Sequence, residues 1–231
     1  MRDSCYIERV SIRNFTLSNC VFSSNSVDTD FFRPKDKYKL REMYGFNPDD
    51  KIVLSVGKLA PHKGYQYLLW AARRYESIDN RIKTLIIGEG GYRDSLIQIK
   101  TALNLRHVYF LGLIPSEKLV DYYNMADIMV IPSLEEHLGI VALEAMACET
   151  PVLASCVGGL KEIIREGKNG FFIEPQDSVG FADKIIWLLE NKELRKTIGR
   201  YGRKWVLRKF SLKSMIRKYR AIYKKIAGVK K

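Results

Sequence analysis

Short apolar runs alternate with longer amphipathic segments from about residue 50 onward. The short runs are rich in branched aliphatic side chains and end at glycine, proline or polar residues, which is typical of buried strands. The longer segments repeat apolar residues every three or four positions, as helices with one buried face do. The predicted strands are 51–57, 83–88, 107–112, 127–133, 151–155 and 170–173. The predicted helices are 64–78, 92–103, 115–126, 140–147, 159–167, 178–190, 191–208 and 211–227.

Strands and helices that alternate at this spacing form β-α-β units with parallel strands. Right-handed crossovers then place helices on both faces of a single sheet. We therefore predict an α/β fold, a doubly wound and Rossmann-like parallel sheet, with a ligand site beyond the carboxyl ends of its strands. Residues 51–190 carry this pattern. Residues 1–50 contain no complete strand–helix unit and are predicted to be a lead-in segment, and residues 191–231 are predicted to form basic C-terminal helices.

The composition narrows the class of protein. Of the 231 residues, 46% are hydrophobic and 28% are charged, which suits a globular core and excludes disordered, collagen-like and disulfide-rich chains. No run reaches the roughly 18 uncharged apolar residues of a membrane span, and the charged first 15 residues do not resemble a secretory signal. The four cysteines form no CxxC pair and there are three histidines. We therefore expect reduced thiols, no metal site and a cytoplasmic location.

The net charge of +13 is concentrated at the C-terminus. Residues 191–231 contain 16 lysines and arginines and one acid, Glu193, whereas the rest of the chain is close to neutral. The last predicted helix, 211–227, combines this charge with an apolar stripe. Three interpretations stay open: docking of a partner chain or self-association, contact with an anionic membrane surface, and nucleic-acid binding. Nucleic acid is least favoured, because no recognition module accompanies the basic residues.

Two acids, Glu136 and Glu144, bracket the start of the predicted helix 140–147. On one continuous helix they would lie about 12 Å apart along the axis and about 80° apart around it, too far to share a ligand atom. If Glu136 instead lies in the preceding loop and the helix begins near Gly139, the two acids can reach opposite ends of one ligand. The free amides of residues 139–141 would then face an anion or a sugar hydroxyl. The alternative is a pair of ordinary solvated acids.

A second cluster, residues 57–64, follows the first predicted strand. Gly57 ends the strand, Lys58 and Lys63 lie five positions apart, and Gly64 opens the next helix. Two ammonium groups beside a helix N-terminus could hold a diphosphate. The segment matches neither the GxxxxGK[ST] nor the GxGxxG pattern, so a nicotinamide cofactor has no support. The alternative is a surface loop with ordinary lysines.

Taken together, these segments resemble the carboxyl-terminal half of a retaining, family 4-type glycosyltransferase of GT-B fold. The acids match the family's Glu-x7-Glu motif, and the lysines match its Gly-Arg…Lys-Gly segment. The resemblance covers about residues 24–227 and is most specific over 127–164. The matching segments are 24–34, 56–64, 86–96, 108–133, 135–164, 169–177 and 210–219.

The resemblance implies a role for each matching residue. Glu136 is expected at the reaction centre of the donor sugar, and Lys58 and Lys63 at the diphosphate of the leaving group; these three are the expected catalytic residues. Glu144 is expected at the ribose hydroxyls, and Ile114 at the base through its backbone. The expected substrate-binding residues are Gly57, Ile114, Leu138, Gly139, Ile140, Val141 and Glu144.

The implied reaction moves a sugar, with retention, from a nucleotide-diphosphate sugar to a glycan or lipid-linked acceptor, without cofactor or metal. An acceptor carried by lipid would bring the protein to the inner face of the membrane. The family also has an amino-terminal domain that binds the acceptor, and residues 1–50 are too short to form it. We therefore expect either a transferase that works with a separate acceptor-domain chain or a nucleotide-sugar-binding module without activity.

Two departures from the family pattern affect the expected site. Lys58 stands where arginine is usual, and it keeps the charge but loses the bidentate fork that grips phosphate. His137 and Leu138 replace the usual Gly-Phe. Because these residues would border the sugar, we expect a reshaped sugar pocket.

Overall fold

A computed structural model of the protein describes residues 26–226. Its centre is a sheet of six strands in the order β3-β2-β1-β4-β5-β6, and every neighbouring pair is parallel. Leu54 of the first strand lies opposite Leu85 on one side and Met129 on the other. The strands are β1 (Lys51–Val56), β2 (Ile82–Ile87), β3 (Val108–Phe110), β4 (Ile128–Ile131), β5 (Val152–Ser155) and β6 (Gly170–Ile173).

Helices follow the strands in the predicted alternation, so the prediction of a doubly wound α/β fold is confirmed. A single 3₁₀ turn, Pro61–Lys63, precedes the second helix. The helices are α1 (Lys37–Met43), α2 (Tyr65–Ile78), α3 (Arg93–Ala102), α4 (Ser116–Met125), α5 (Ile140–Ala147), α6 (Leu160–Ile163), α7 (Ser178–Glu190), α8 (Lys192–Lys209) and α9 (Leu212–Ile226).

The core consists of two apolar layers, one on each face of the sheet. Successive side chains of a strand point to opposite faces. Accordingly, Ile52 and Leu54 of β1 pack in the layer that α4, α5 and α8 cover. Val53 packs in the other layer, beneath α2, α3 and α7. Both faces of the sheet are therefore buried, which explains why its strands are continuous apolar runs rather than alternating ones.

Two local differences from the prediction have clear causes. Helix α6 ends at Ile163 instead of reaching Gly167, because the buried side chain of Asn169 accepts from the Arg165 amide (2.6 Å) and donates to the Ile163 carbonyl (3.1 Å). These bonds take groups that a longer helix would use. The sequence pattern also predicts no helix at 37–43, where the structure has α1, because only Leu40 and Arg41 of its seven residues are buried.

Helix α1 is tied to the sheet by a cluster of charged side chains around Asp127, the residue before β4. The Asp127 carboxylate is buried and accepts from Lys37 (2.8 Å), from Arg41 (2.6 Å) and from the amide of Ile52 (2.8 Å), and Arg195 of α8 lies at 3.5 Å. Burial alone would raise the pKa of Asp127, but the three cations outweigh it and lower the pKa to about 2. We call these residues the Asp127 cluster. The cluster joins residues on either side of both predicted domain boundaries, at residues 50 and 190. The boundaries themselves stay predictions.

Helix α9 lies at the surface and leaves part of its apolar stripe exposed. Ser214 is buried against the rest of the protein, and Val27 pairs with Ser211 just before the helix. The stripe's exposed large side chains are Leu212, Ile216, Tyr219 and Tyr223. What binds this stripe stays a prediction, and residue 227, the end of the predicted helix, lies outside the described residues.

Cysteines and histidines form no cluster in the described part of the chain. Cys148 is buried and Cys156 is half-buried, and both are free thiols; Cys5 and Cys20 lie outside the described residues. Across residues 26–226, no three His, Cys, Asp or Glu side chains are placed to hold a metal ion. None of the described helices is both long and apolar enough to span a membrane.

Candidate functional site

A cleft of about 540 Å³ opens at the carboxyl ends of β1 and β4. These two strands are neighbours in the middle of the sheet, where the strand order changes direction. A doubly wound sheet leaves a crevice at such a point, because the loops from the two strands run to opposite faces. The candidate residues that line the cleft are Gly57, Lys58, Lys63, Glu136, Leu138, Ile140 and Val141.

The loops that follow β1 and β4 pack directly against each other. Gly64 has a left-handed backbone (φ 68°), and a Cβ atom there would lie 1.9 Å from the carbonyl oxygen of Pro132. The His62 carbonyl accepts from the Leu134 amide at 2.8 Å. Because backbone touches backbone, only glycine fits at position 64. This packing fixes the place of Lys63 relative to the loop after β4.

Lys63 and Glu136 form an ion pair inside the cleft. Their Nζ and Oε2 atoms lie 2.8 Å apart, and the side chains are only 22% and 12% exposed. The second Glu136 oxygen accepts from the Gly139 amide at 3.3 Å. Burial raises the pKa of Glu136, but Lys63 and the amides of Gly139 and Leu138 outweigh that effect and hold the pKa below its ordinary value. Glu136 is therefore a carboxylate at neutral pH.

Lys58 differs from Lys63 in having no partner among residues 26–226. Its side chain is exposed at the rim of the cleft. No carboxylate or other acceptor in residues 26–226 bonds to its ammonium group. The cleft thus holds one cation that is neutralised by Glu136 and a second that is available to an incoming anion.

The N-terminus of α5 adds uncommitted donors to the same cleft. Gly139 precedes the helix with a left-handed backbone (φ 64°), so the helix begins where the spacing argument requires. Its carbonyl accepts from the amides of Ala142 and Leu143. The amides of Ile140 and Val141 find no acceptor among the residues described, as expected for the first turn of a helix. They contribute partial positive charge to the cleft.

Three of the expected substrate-binding residues, Glu144, Ile114 and Gly139, are not among the residues that line the cleft. Gly139 lies between two lining residues, Leu138 and Ile140. Glu144 Oε2 accepts from the hydroxyl of the buried Tyr123 at 2.7 Å. Burial raises the pKa of Glu144, and the bond from Tyr123 offsets only part of that effect. Ile114 follows β3 and packs partly against the core.

The cleft also contains polar residues that sequence reasoning missed. Tyr65, the first residue of α2, is buried in its floor beside Ser55, whose hydroxyl donates to the Val130 carbonyl at 2.7 Å. Burial raises the pKa of Tyr65, so it stays a neutral hydroxyl. In the sequence, Tyr65 is one position of an apolar helical stripe, and no motif indicates a role for its hydroxyl. The exposed imidazole of His62 also borders the cleft, and so does that of His137, which the family resemblance already places beside the sugar.

Comparisons with known proteins converge on one family. The family model described as "Glycosyl transferases group 1" matches residues 36–205, which include all the candidate residues. An uncharacterised glycosyltransferase of Methanocaldococcus jannaschii is 37% identical over 191 residues, 82% of this chain and 49% of that protein.

Solved structures agree with the fold. Sucrose-phosphate synthase from Thermosynechococcus elongatus aligns with a TM-score of 0.81 and 29% identity, covering 89% of this chain and 52% of that one. The Anabaena protein HepE, in complex with UDP and glucose, aligns with a TM-score of 0.78 and 25% identity, covering 85% and 54%. The chain spans about half the length of the curated relatives it matches.

Proposed function

The chain belongs to the glycosyl transferases of group 1, and from this membership we propose that its cleft binds a nucleotide-diphosphate sugar as the donor half of a glycosyl transfer. The observation that carries the proposal is the cleft itself. It combines a paired lysine and carboxylate, Lys63 and Glu136, with the start of α5 and with Lys58, which has no partner in the described part of the chain. A diphosphate and a sugar need this mixture of cations, amides and a carboxylate.

The diphosphate would lie between the two lysines and the helix. Lys58 is free to bind a phosphate oxygen, and the amides of Ile140 and Val141 can donate to others. Negative charge grows on the diphosphate when its bond to the sugar breaks, so fixed cations there stabilise the transition state. The two ammonium groups supply this counter-charge, and we propose that the reaction uses neither metal nor cofactor.

The sugar and the ribose would each meet one of the two acids. Glu136 is ionised and half-buried, which suits an acceptor of hydrogen bonds from sugar hydroxyls at the reaction centre. Tyr123 bonds to only one oxygen of Glu144, Oε2. The other oxygen, Oε1, has no hydrogen-bond donor among the described residues and would accept from a ribose hydroxyl. The base would then reach the backbone of Ile114, as the family resemblance implies, and the sugar would be transferred with retention to a glycan or lipid-linked acceptor.

A second candidate function is nucleotide-sugar binding without turnover by this chain alone. It is favoured by Lys58, whose ammonium group lacks the bidentate fork with which an arginine grips phosphate. Release of free sugar from UDP-glucose or another donor, abolished in Glu136→Gln, supports the transferase, whereas binding without release supports the module.

Calorimetric titration of the full chain with UDP, GDP and ADP tests the donor site. We expect one of them to bind, and we expect Lys63→Ala to weaken its affinity roughly 10- to 100-fold, because a hydrogen bond to a charged group contributes about 1.5–3 kcal/mol. Lys39→Ala, at an exposed lysine of α1, is the charge-matched control and should bind like the wild type. Equal losses in both variants, or no binding of any of the three nucleotides, would refute the proposal.

A further inference from the structure

A turn of two glycines, Gly158 and Gly159, lies against the backbone of the loop that carries Glu136. The Gly159 amide donates to the carbonyl oxygen of Glu136 at 2.8 Å. A Cβ atom on Gly158 would lie 1.9 Å from that same oxygen, and one on Gly159 would lie 2.3 Å from the His137 carbonyl oxygen. Backbone atoms cannot swing aside as a flexible side chain can. The two loops therefore fit together only with glycine at both positions.

The two glycines are required for different reasons. Gly158 has a left-handed backbone (φ 44°) in addition to its close contact. Gly159 has an ordinary helical backbone (φ −63°), so only the lack of a side chain matters there. This difference makes position 159 a clean place to test the contact, because alanine adds a clash but no backbone strain.

Helix α6, which follows the turn, holds the other end of the same loop. A Cβ atom on Gly139 would lie 2.9 Å from Ile163 and 3.0 Å from Leu160, both side chains of α6. The turn thus fixes the start of the segment 136–139, and the helix behind it fixes the end. Between these two supports, the Glu136 side chain reaches across the cleft to Lys63.

We infer that the Gly158–Gly159 turn is a positioning element for Glu136, setting the backbone from which its carboxylate meets Lys63. The inference deepens the proposed function, on which it rests for the claim that Glu136 contacts the donor sugar. The turn itself touches no reacting group. It acts through the Glu136 backbone, so its effect must be measured on the Glu136 carboxylate.

The direct test is a ¹³C NMR titration of the Glu136 carboxyl in Gly159→Ala, with the signal assigned from Glu136→Gln. Lys63, Lys58, Glu135, His62 and His137 all line this cleft and are unchanged in the variant. We expect the Glu136 pKa to rise from below its ordinary value towards that value, because the ion pair with Lys63 is lost.

The matched control is Gly91→Ala, because a Cβ atom at Gly91 would meet nothing within 4 Å. Its Glu136 pKa should equal that of the wild type. A folded Gly159→Ala protein whose Glu136 titrates like the wild type would overturn the inference.

A measurement on the unmodified chain covers the case in which Gly159→Ala does not fold. Hydrogen exchange of the Gly159 amide should be slowed at least about tenfold by its bond to Glu136. Exchange at the unprotected rate would overturn the inference. Neither measurement requires a nucleotide. If the chain binds none of UDP, GDP and ADP but Gly159→Ala still changes the Glu136 pKa, the proposed donor site is refuted. The positioning of Glu136 by the turn is then retained.

Discussion

The two edges of the sheet both gather charged side chains, but they use them differently. At the amino edge, the Asp127 cluster matches a buried carboxylate with cations on α1 and α8 and with an amide of β1. At the carboxyl edge, Lys58 has no partner in the described residues, and the first amides of α5 have none either. A concentration of charge alone does not mark a functional site. What distinguishes the candidate site is hydrogen-bonding capacity that the described part of the fold leaves unused.

The largest expected effect comes from breaking the cluster at the amino edge. Asp127→Asn leaves Lys37, Arg41 and Arg195 without a carboxylate, and removing one partner of a buried ion pair costs about 3–5 kcal/mol. We expect the free energy of unfolding, measured in urea, to fall by this amount. The folded variant should bind UDP, GDP or ADP as the wild type does. A loss below about 1 kcal/mol would show that the Asp127 cluster does not stabilise the fold, and the distinction between the two edges would fail.

A smaller effect should appear in acid. The Asp127 pKa is lowered to about 2 in the folded state and is about 3.9 when unfolded, so the unfolded chain binds the proton first. The stabilisation is therefore complete above pH of about 4 and is lost as the pH falls towards about 2. Unfolding curves of wild type and Asp127→Asn, measured between these values, should converge. If the two curves stayed parallel, Asp127 would not be the group whose protonation destabilises the folded protein in acid.

The smallest effect on stability is expected at the carboxyl edge. Lys58 is exposed and unpartnered within the described residues, so Lys58→Ala should change the free energy of unfolding by less than about 0.5 kcal/mol. The same variant should weaken nucleoside diphosphate binding and reduce its dependence on salt. A clear loss of stability in urea would mean that Lys58 belongs to the fold and not to the site.

Sequence patterns reveal the sheet and its main helices because those elements carry their own signals. The predicted strand 51–57 is mostly apolar and ends at a glycine, and α5 is nearly all apolar. Helix α1 has no such signal. Only Leu40 and Arg41 of its seven residues are buried, and Arg41 is buried because it meets Asp127, 86 positions away. A contact between residues so distant in sequence cannot be read from local periodicity.

In the candidate site, too, local motifs can be predicted from the sequence and contacts between distant residues cannot. Lys58, Lys63 and Glu136 are found as candidates because they lie in short motifs beside predicted strand ends. The pairing of Lys63 with Glu136 joins residues 73 positions apart, and the sequence does not indicate which lysine is neutralised. The glycines at 158 and 159 look like an ordinary turn. Their close contact with the backbone of the Glu136 loop depends on the folded arrangement of the two loops, so the sequence does not show it.

The ion pair between Lys63 and Glu136 also has a consequence for the rates of binding. In the empty cleft Glu136 is an internal counter-ion for Lys63, so an approaching anion is attracted first by Lys58. Association should therefore be governed by Lys58 and slow as ionic strength rises. If the cleft binds a nucleoside diphosphate as proposed, Lys63 would become available only after it parts from Glu136, and its contact would then lengthen the lifetime of the complex. One lysine would control how fast a nucleotide arrives, and the other how long it stays.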